Sequence, residues 1–299
     1  VISEQIKEDV SMNKLNPILL GLSLAVVGSS LAAAQEMASM PKVLQITREF
    51  VKPYKGGAAH DKTESAFVQA AARAKFPVHY IALNSLSGKA RALFLTPYDS
   101  FDAWGKANDL VDKNKALSAE FERAGIADGE LLDSVDSLVY TYDEELSYKP
   151  HPDLSHARYM EISVFHVRLG HRDDWRKLGK IVRDAHDKAG TSAHWAMFEV
   201  AYGADDGTYI ALSADKSLAD IDTGYDEDKK FRDALGEDGM KSLSELYGAT
   251  VDSSHSELFS INPHQSYVSE EWIKADPEFW KPRSPAPAAK PAAEEKKTP

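Results

Sequence analysis

Apolar and polar residues alternate from Val43 to Val51, with Leu44, Ile46 and Phe50 on one face and Gln45, Thr47 and Glu49 on the other. That period of two is the period of a strand. A loop with Gly56 and Gly57 follows, and then the period lengthens. From Asp61 to Lys75, residues Ala66, Phe67, Ala70, Ala71 and Ala74 form a narrow apolar stripe at helical spacing, which Pro77 ends. Val78 to Leu83 and Ala90 to Thr96 read as two strands joined at Ser87-Gly88. A helix opens after Pro97-Tyr98, with Asp99 or Ser100 as its cap and Phe101, Trp104, Leu110 and Val111 on its apolar face. A further helical stretch carries Leu117 and Phe121 before Gly125, and Val135 to Tyr142 is the fourth strand.

The same order returns in the second half. Strands are expected at Tyr159 to Arg168, Trp195 to Tyr202, Thr208 to Ser213 and His255 to Ile261. A helix is expected at Asp173 to Lys188, and helical segments from Ser217 to Tyr247, broken near Thr223-Gly224 and Gly236. Short matches accompany the order. Leu44-Gln45-Ile46-Thr47 reappears as Met160-Glu161-Ile162-Ser163, and Ser137-Leu138-Val139-Tyr140 as Ser256-Glu257-Leu258-Phe259. Val78-His79-Tyr80-Ile81 is set opposite His194-Trp195-Ala196-Met197, which pairs His79 with Trp195. The spacing between copies widens slowly, as it does when loops gain residues.

Strand, helix, strand, strand, helix, strand is the ferredoxin-like unit, a four-stranded antiparallel sheet with helices on one face. The expected fold is α+β, with two tandem ferredoxin-like βαββαβ repeats packed sheet to sheet in one chain. The repeats are placed at 42–148 and 157–268, with Pro150-His151-Pro152 as linker. With the Ser100-Phe101-Asp102-Ala103-Trp104 helix start, the order and repeat length resemble the dimeric α+β-barrel superfamily in a fused tandem form. The similarity is to antibiotic-biosynthesis-monooxygenase-type and NIPSNAP-type domains. It implies a fold rather than a reaction, because that superfamily holds cofactor-free oxygenases, haem enzymes, isomerases and ligand-binding regulators.

Composition narrows the partners. The chain of 299 residues has net charge −12, which argues against a nucleic-acid surface and against general attraction to anionic lipid. It has no cysteine, which removes disulfides, thiolate metal sites and cysteine nucleophiles. Met12-Asn13-Lys14, the apolar run Pro17 to Val27 and Ala32-Ala33-Ala34 have the layout of a secretory signal peptide cut before Gln35. Residues 1–34 are therefore set apart as N-terminal extension and signal. The expected location is exported, periplasmic or extracellular, with no membrane contact after cleavage. Residues 283–299 are a Pro/Ala/Lys/Glu tail without apolar periodicity, expected to be disordered.

Candidate chemistry is sought in a cavity between the two sheets, on strand positions opposite the helix-facing ones. These are Gln45, Thr47 and Glu49, then Glu161, Ser163 and Phe165, then His79, Ile81 and Leu83, then Trp195, Met197 and Glu199. A one-residue slip would reverse the choice. His79 is the candidate catalytic base, and Glu49, Glu161, Trp195 and Glu199 are candidate ligand-binding residues. No histidine spacing matches a metal motif, so no metal site is expected. Asp220 to Asp228 fails the EF-hand register. No cofactor is expected, although haem needs only one histidine and stays open. The principal expectation is an exported protein that binds a small, partly apolar ligand between the sheets. The alternatives are a cofactor-independent or haem-dependent oxidoreductase on the same barrel, and a structural protein without a cavity. Fusion of two units removes the need for a homo-oligomer without forbidding one.

Overall fold

The structure is a computed structural model that describes residues 40–150 and 153–281. The expected signal segment, part of the linker and the C-terminal tail lie outside the described residues. The first half comprises β1 (Val43–Val51), α1 (Ala58–Ala74), β2 (Tyr80–Ser85), β3 (Arg91–Tyr98), α2 (Phe101–Lys113), α3 (Lys115–Gly129) and β4 (Leu132–Tyr148). The second comprises β5 (Tyr159–Val167), α4 (Arg172–Ala189), β6 (Trp195–Tyr202), β7 (Thr208–Asp215), α5 (Leu218–Thr250) and β8 (Val251–Tyr267). Two short helices follow, α6 (Glu270–Ala275) and α7 (Pro277–Trp280). Among the described residues no helix is long and apolar enough to cross a membrane.

Local chemistry sets several boundaries. Ser100 caps α2 by accepting the Ala103 N–H at 3.0 Å, and Asn114 caps α3 by accepting from Leu117 at 3.1 Å. Lys75 and Gly190, both left-handed, end α1 and α4. α5 runs through Thr223-Gly224 without a break. It kinks at Gly236, where φ is 71°.

The strands close into one barrel in the order β1-β3-β2-β8-β5-β7-β6-β4, and every neighbouring pair is antiparallel. The two halves are stitched by their last strands. β4 and β8 are 17 residues each, longer than the alternation suggested. The first part of β4 pairs with β1 and the rest with β6, while β8 pairs first with β5 and then with β2.

The space between the sheets is a packed core. Leu44, Ile46, Leu83 and Leu95 meet Ile162, Phe198, Ile210 and Phe259 there. Eight strands leave a bore that side chains just fill. This corrects the expected inward set. Leu44 and Ile46 point into the barrel, whereas Thr47, Glu49, Glu161, Ser163 and Phe165 face the helices. Only Ile81 and Leu83 of the expected set lie in the barrel core. Choosing the more polar face as the inner one failed because the closed bore is drier than the layer under the helices.

The register between halves also shifts. Ile81 pairs with Leu95 and Ala196 with Leu212, so Ile81 corresponds to Ala196, Tyr80 to Trp195 and His79 to His194. The connection from the first strand to the first helix is two residues shorter in the second half and the helix is one residue longer, 18 against 17, and the net loss of one residue displaces the match. The C-terminal helices were not legible as elements. Trp280 of α7 is 3% exposed in the barrel core, and its indole donates to the Ser155 carbonyl at 2.7 Å.

Candidate functional site

The second half holds a chamber between its sheet and its helices. It has a volume of about 420 Å³ and is lined by Phe165 of β5, Trp175 of α4, Trp195 and Met197 of β6, and Tyr247 of α5. Alternation on β5 and β6 sends these side chains away from the bore, and the helical spacing of Trp175, Leu178 and Val182 brings one apolar face of α4 down on them. Several polar atoms at the walls are already satisfied. The Trp195 indole donates to the Leu146 carbonyl at 2.8 Å, and Ser213 Oγ donates to the His194 carbonyl at 2.8 Å.

A larger polar cleft of about 1060 Å³ adjoins this chamber, and the two share Glu161, Ser213 and Trp195 as walls. Glu161 stands at the junction of apolar chamber and polar cleft. Burial, with the negative charge of Asp215 adding to it, raises its carboxyl above the ordinary glutamate range, while a bond with Ser163 opposes the shift. His186 borders the cleft. Its Nδ1 is 2.8 Å from Thr191 Oγ1, its ring lies 4.6 Å from that of Phe231, and burial lowers its pKa, so the ring is neutral at neutral pH.

The other expected residues go elsewhere. His79 precedes β2, with its ring 4.8 Å from that of Tyr267, and it lines neither the chamber nor the cleft. Glu199 accepts from the Tyr209 hydroxyl at 3.0 Å and pairs with Arg172. Glu49 lies in the first half, 3.0 Å from His60 Nε2. The structure thus joins Glu161 and Trp195 in one site and separates both from Glu49, Glu199 and His79.

Around Glu49 is a cluster that sequence reasoning missed. His60 and Glu64 project from one face of α1, Asp128 reaches in from α3, and one donor atom from each of the four residues lies within 4.8 Å of the others. The His60–Glu64 spacing of one helical turn was a readable signal, but Asp128 is distant in sequence. Burial, reinforced by Glu49 and Asp128, pushes Glu64 up to about 10, and burial also raises Glu49. Burial pulls His60 down, but its bond to Glu49 and the charge of Asp128 outweigh that and hold it above the usual range.

The cluster and the chamber occupy equivalent places. Aligning the starts of β1 and β5 sets Glu49 against Phe165. Aligning the caps Lys75 and Gly190 sets His60 against Trp175 and Glu64 against Gly179. Aligning the starts of β4 and β8 sets Asp128 against Tyr247. All four second-half counterparts line the chamber. One half fills the space under its helices with acids and an imidazole, and the other leaves an apolar cavity there.

No family model matches the chain, and no curated protein matches it. Solved structures do. The "putative monooxygenase" of Fusobacterium nucleatum subsp. nucleatum aligns over 75% of this chain and 93% of its own, at 11% identity and a TM-score of 0.50. A mutant chlorite dismutase from Candidatus Nitrospira defluvii covers 81% of this chain and 98% of its own, at 11% identity and a TM-score of 0.49. A haem-binding protein from Thermus thermophilus covers 79% and 97%, at 12% identity and a TM-score of 0.43. The similarity to the first is one of fold, and the fold of this chain is the dimeric α+β barrel, closed within a single polypeptide.

Proposed function

We propose that the second-half chamber takes up a small, largely apolar aromatic molecule and oxidises it with dioxygen, with Glu161 as the acid–base group. The observation that carries this reading is one half-buried carboxyl, with its proton affinity raised, at the edge of an apolar chamber. Such a group is matched to removing a proton from a weak carbon or phenol acid. The name of the Fusobacterium neighbour points to the same class of chemistry.

For an activated methylene the balance is complete without another reductant. Glu161 removes one proton, the carbanion gives electrons to dioxygen, and a carbon–oxygen bond forms. The resulting peroxide takes a proton back and becomes a hydroperoxide. Loss of the second C–H proton breaks the O–O bond, leaving a ketone and one water. Trp175 and Trp195 hold the ring system and keep water out.

The test is dioxygen uptake with a panel of anthrones and hydroquinones, preceded by native mass spectrometry of protein from its own host to identify what travels in the chamber. Glu161→Gln should bind the same molecule and turn over at least about 100-fold more slowly. Because Glu161 acts ionised and its carboxyl is raised, the wild-type rate should climb with pH through a step above the ordinary glutamate value, and the variant should lack that step. Uptake unchanged in Glu161→Gln would remove Glu161 from the reaction.

His186 favours a second reading, in which the cleft holds haem. The imidazole fits: neutral and anchored at Nδ1, it leaves Nε2 for iron, and Lys149 borders the same cleft as a cation for a propionate, whereas Arg232 is already paired with Asp228 at 2.6 Å. When bound, haem would supply redox chemistry with oxygen species. A Soret band that disappears in His186→Ala supports this reading, and a colourless, iron-free protein after exposure to haemin ends it. We also propose export with cleavage before Gln35, which N-terminal sequencing of host protein would check.

A further inference from the structure

We propose that Glu49, His60, Glu64 and Asp128 bind a divalent transition-metal ion, of the class of Zn²⁺, Mn²⁺ or Fe²⁺. The site lies in the first half, away from the chamber, and the proposal does not depend on the reaction assigned there. Three carboxylates and one imidazole are the donor types these ions accept, whereas Ca²⁺ and Mg²⁺ favour all-oxygen shells. Metal–ligand bonds of about 2.0–2.2 Å set the donors of a tetrahedral site roughly 3.4 Å apart. The four donor atoms already lie within 4.8 Å of one another, so closing on an ion draws the widest pair together by about an ångström, within reach of side-chain torsions.

Two orphaned atoms point to the same conclusion. Glu64 is 3% exposed, and its Oε1 is buried without a hydrogen-bond partner. A native interior rarely leaves such an atom unpaired. The second is Gln265 Oε1, on a side chain 1% exposed. Gln265 Nε2 is 3.2 Å from His60 Nδ1 and also donates to Asp61 Oδ1 at 3.0 Å. With Nδ1 accepting, the imidazole proton sits on Nε2, directed at Glu49 Oε2 at 3.0 Å and Asp128 Oδ1 at 3.5 Å. That proton stands where the ion would. When an ion replaces it, Nδ1 carries the proton and needs an acceptor. A half-turn of the Gln265 amide supplies Oε1, the usual partner of a metal-bound histidine. The same half-turn brings an oxygen toward Asp61 Oδ1, now 3.0 Å from Nε2, so the Asp61 carboxylate must swing away from Gln265 toward Asn262 Nδ2, which donates to it at 2.8 Å.

The experiment uses the full chain, stripped with chelator and titrated with Zn²⁺, Mn²⁺ and Co²⁺ by calorimetry, with Mg²⁺ and Ca²⁺ as comparisons. One equivalent should bind and raise Tm, and binding should weaken as pH falls because protons compete. Glu64→Gln and His60→Gln should each lose more than the roughly 10–100-fold that outer-shell changes cost. Asp109→Asn, at an exposed site on α2, should bind as wild type. Glu64→Gln is isosteric and places no new charge in the interior, so a cooperative melt of the variant checks its folding independently. Absence of stoichiometric binding to folded wild-type protein, or equal binding by Glu64→Gln and His60→Gln, overturns the proposal.

Discussion

Glu161 and Phe259 occupy opposite faces of the barrel wall, and the contrast shows what single residues do here. Glu161 faces the helix layer, where space and partial hydration let a carboxyl remain. Phe259 is 0% exposed in the bore, with the Arg91 guanidinium 5.3 Å from its ring. Its truncation leaves a hole that surrounding strands cannot close. Phe259→Ala should cost about 3–5 kcal/mol, read as a lower denaturation midpoint at unchanged slope. Alternation in the sequence was enough to single out Glu161 and Trp195 as sharing a face. It could not say which face was wet, because both faces of this wall are covered. The partners of Glu49 were beyond it for another reason: His60 and Glu64 sit on the next helix, but Asp128 meets them only once α3 has packed.

At the scale of elements, helix starts and strand centres were legible because caps and period are local. Strand ends were not, since β4 and β8 are prolonged by pairing with the other half, a long-range effect that leaves no local mark. The one-residue offset between β2 and β6 has the same character. α2 offers a local test. Its Ser100 cap satisfies an N–H that otherwise has no intrahelical partner. Ser100→Ala should lower stability by about 1 kcal/mol, measured by chemical denaturation, while Ser100→Asp should retain most of it.

The two repeats share a bore, so the barrel is expected to fold as one unit. Leu44, Ile46 and Leu83 from one half are covered by Ile162, Phe198 and Phe259, largely from the other. The intact chain should therefore melt in a single transition by both fluorescence and circular dichroism. Residues 42–148 expressed alone would bare the bore face and the far end of β4. They should self-associate or precipitate, and a soluble, folded monomer of that half would show that the shared core is dispensable. The linear order of two halves was readable from the repeated pattern. Their interleaving was not, because hydrogen-bond partners across a closed sheet are chosen in space.

Closure also governs how copies of this protein can meet. A sheet with a free margin can recruit another strand and grow, and that margin is the usual starting point of β-aggregates. Here β1 finds β4 and β2 finds β8, so the ring of strands has no margin to offer. Among the described residues, contact between copies is left to helix surfaces and loop ends, where side chains rather than backbone decide the fit.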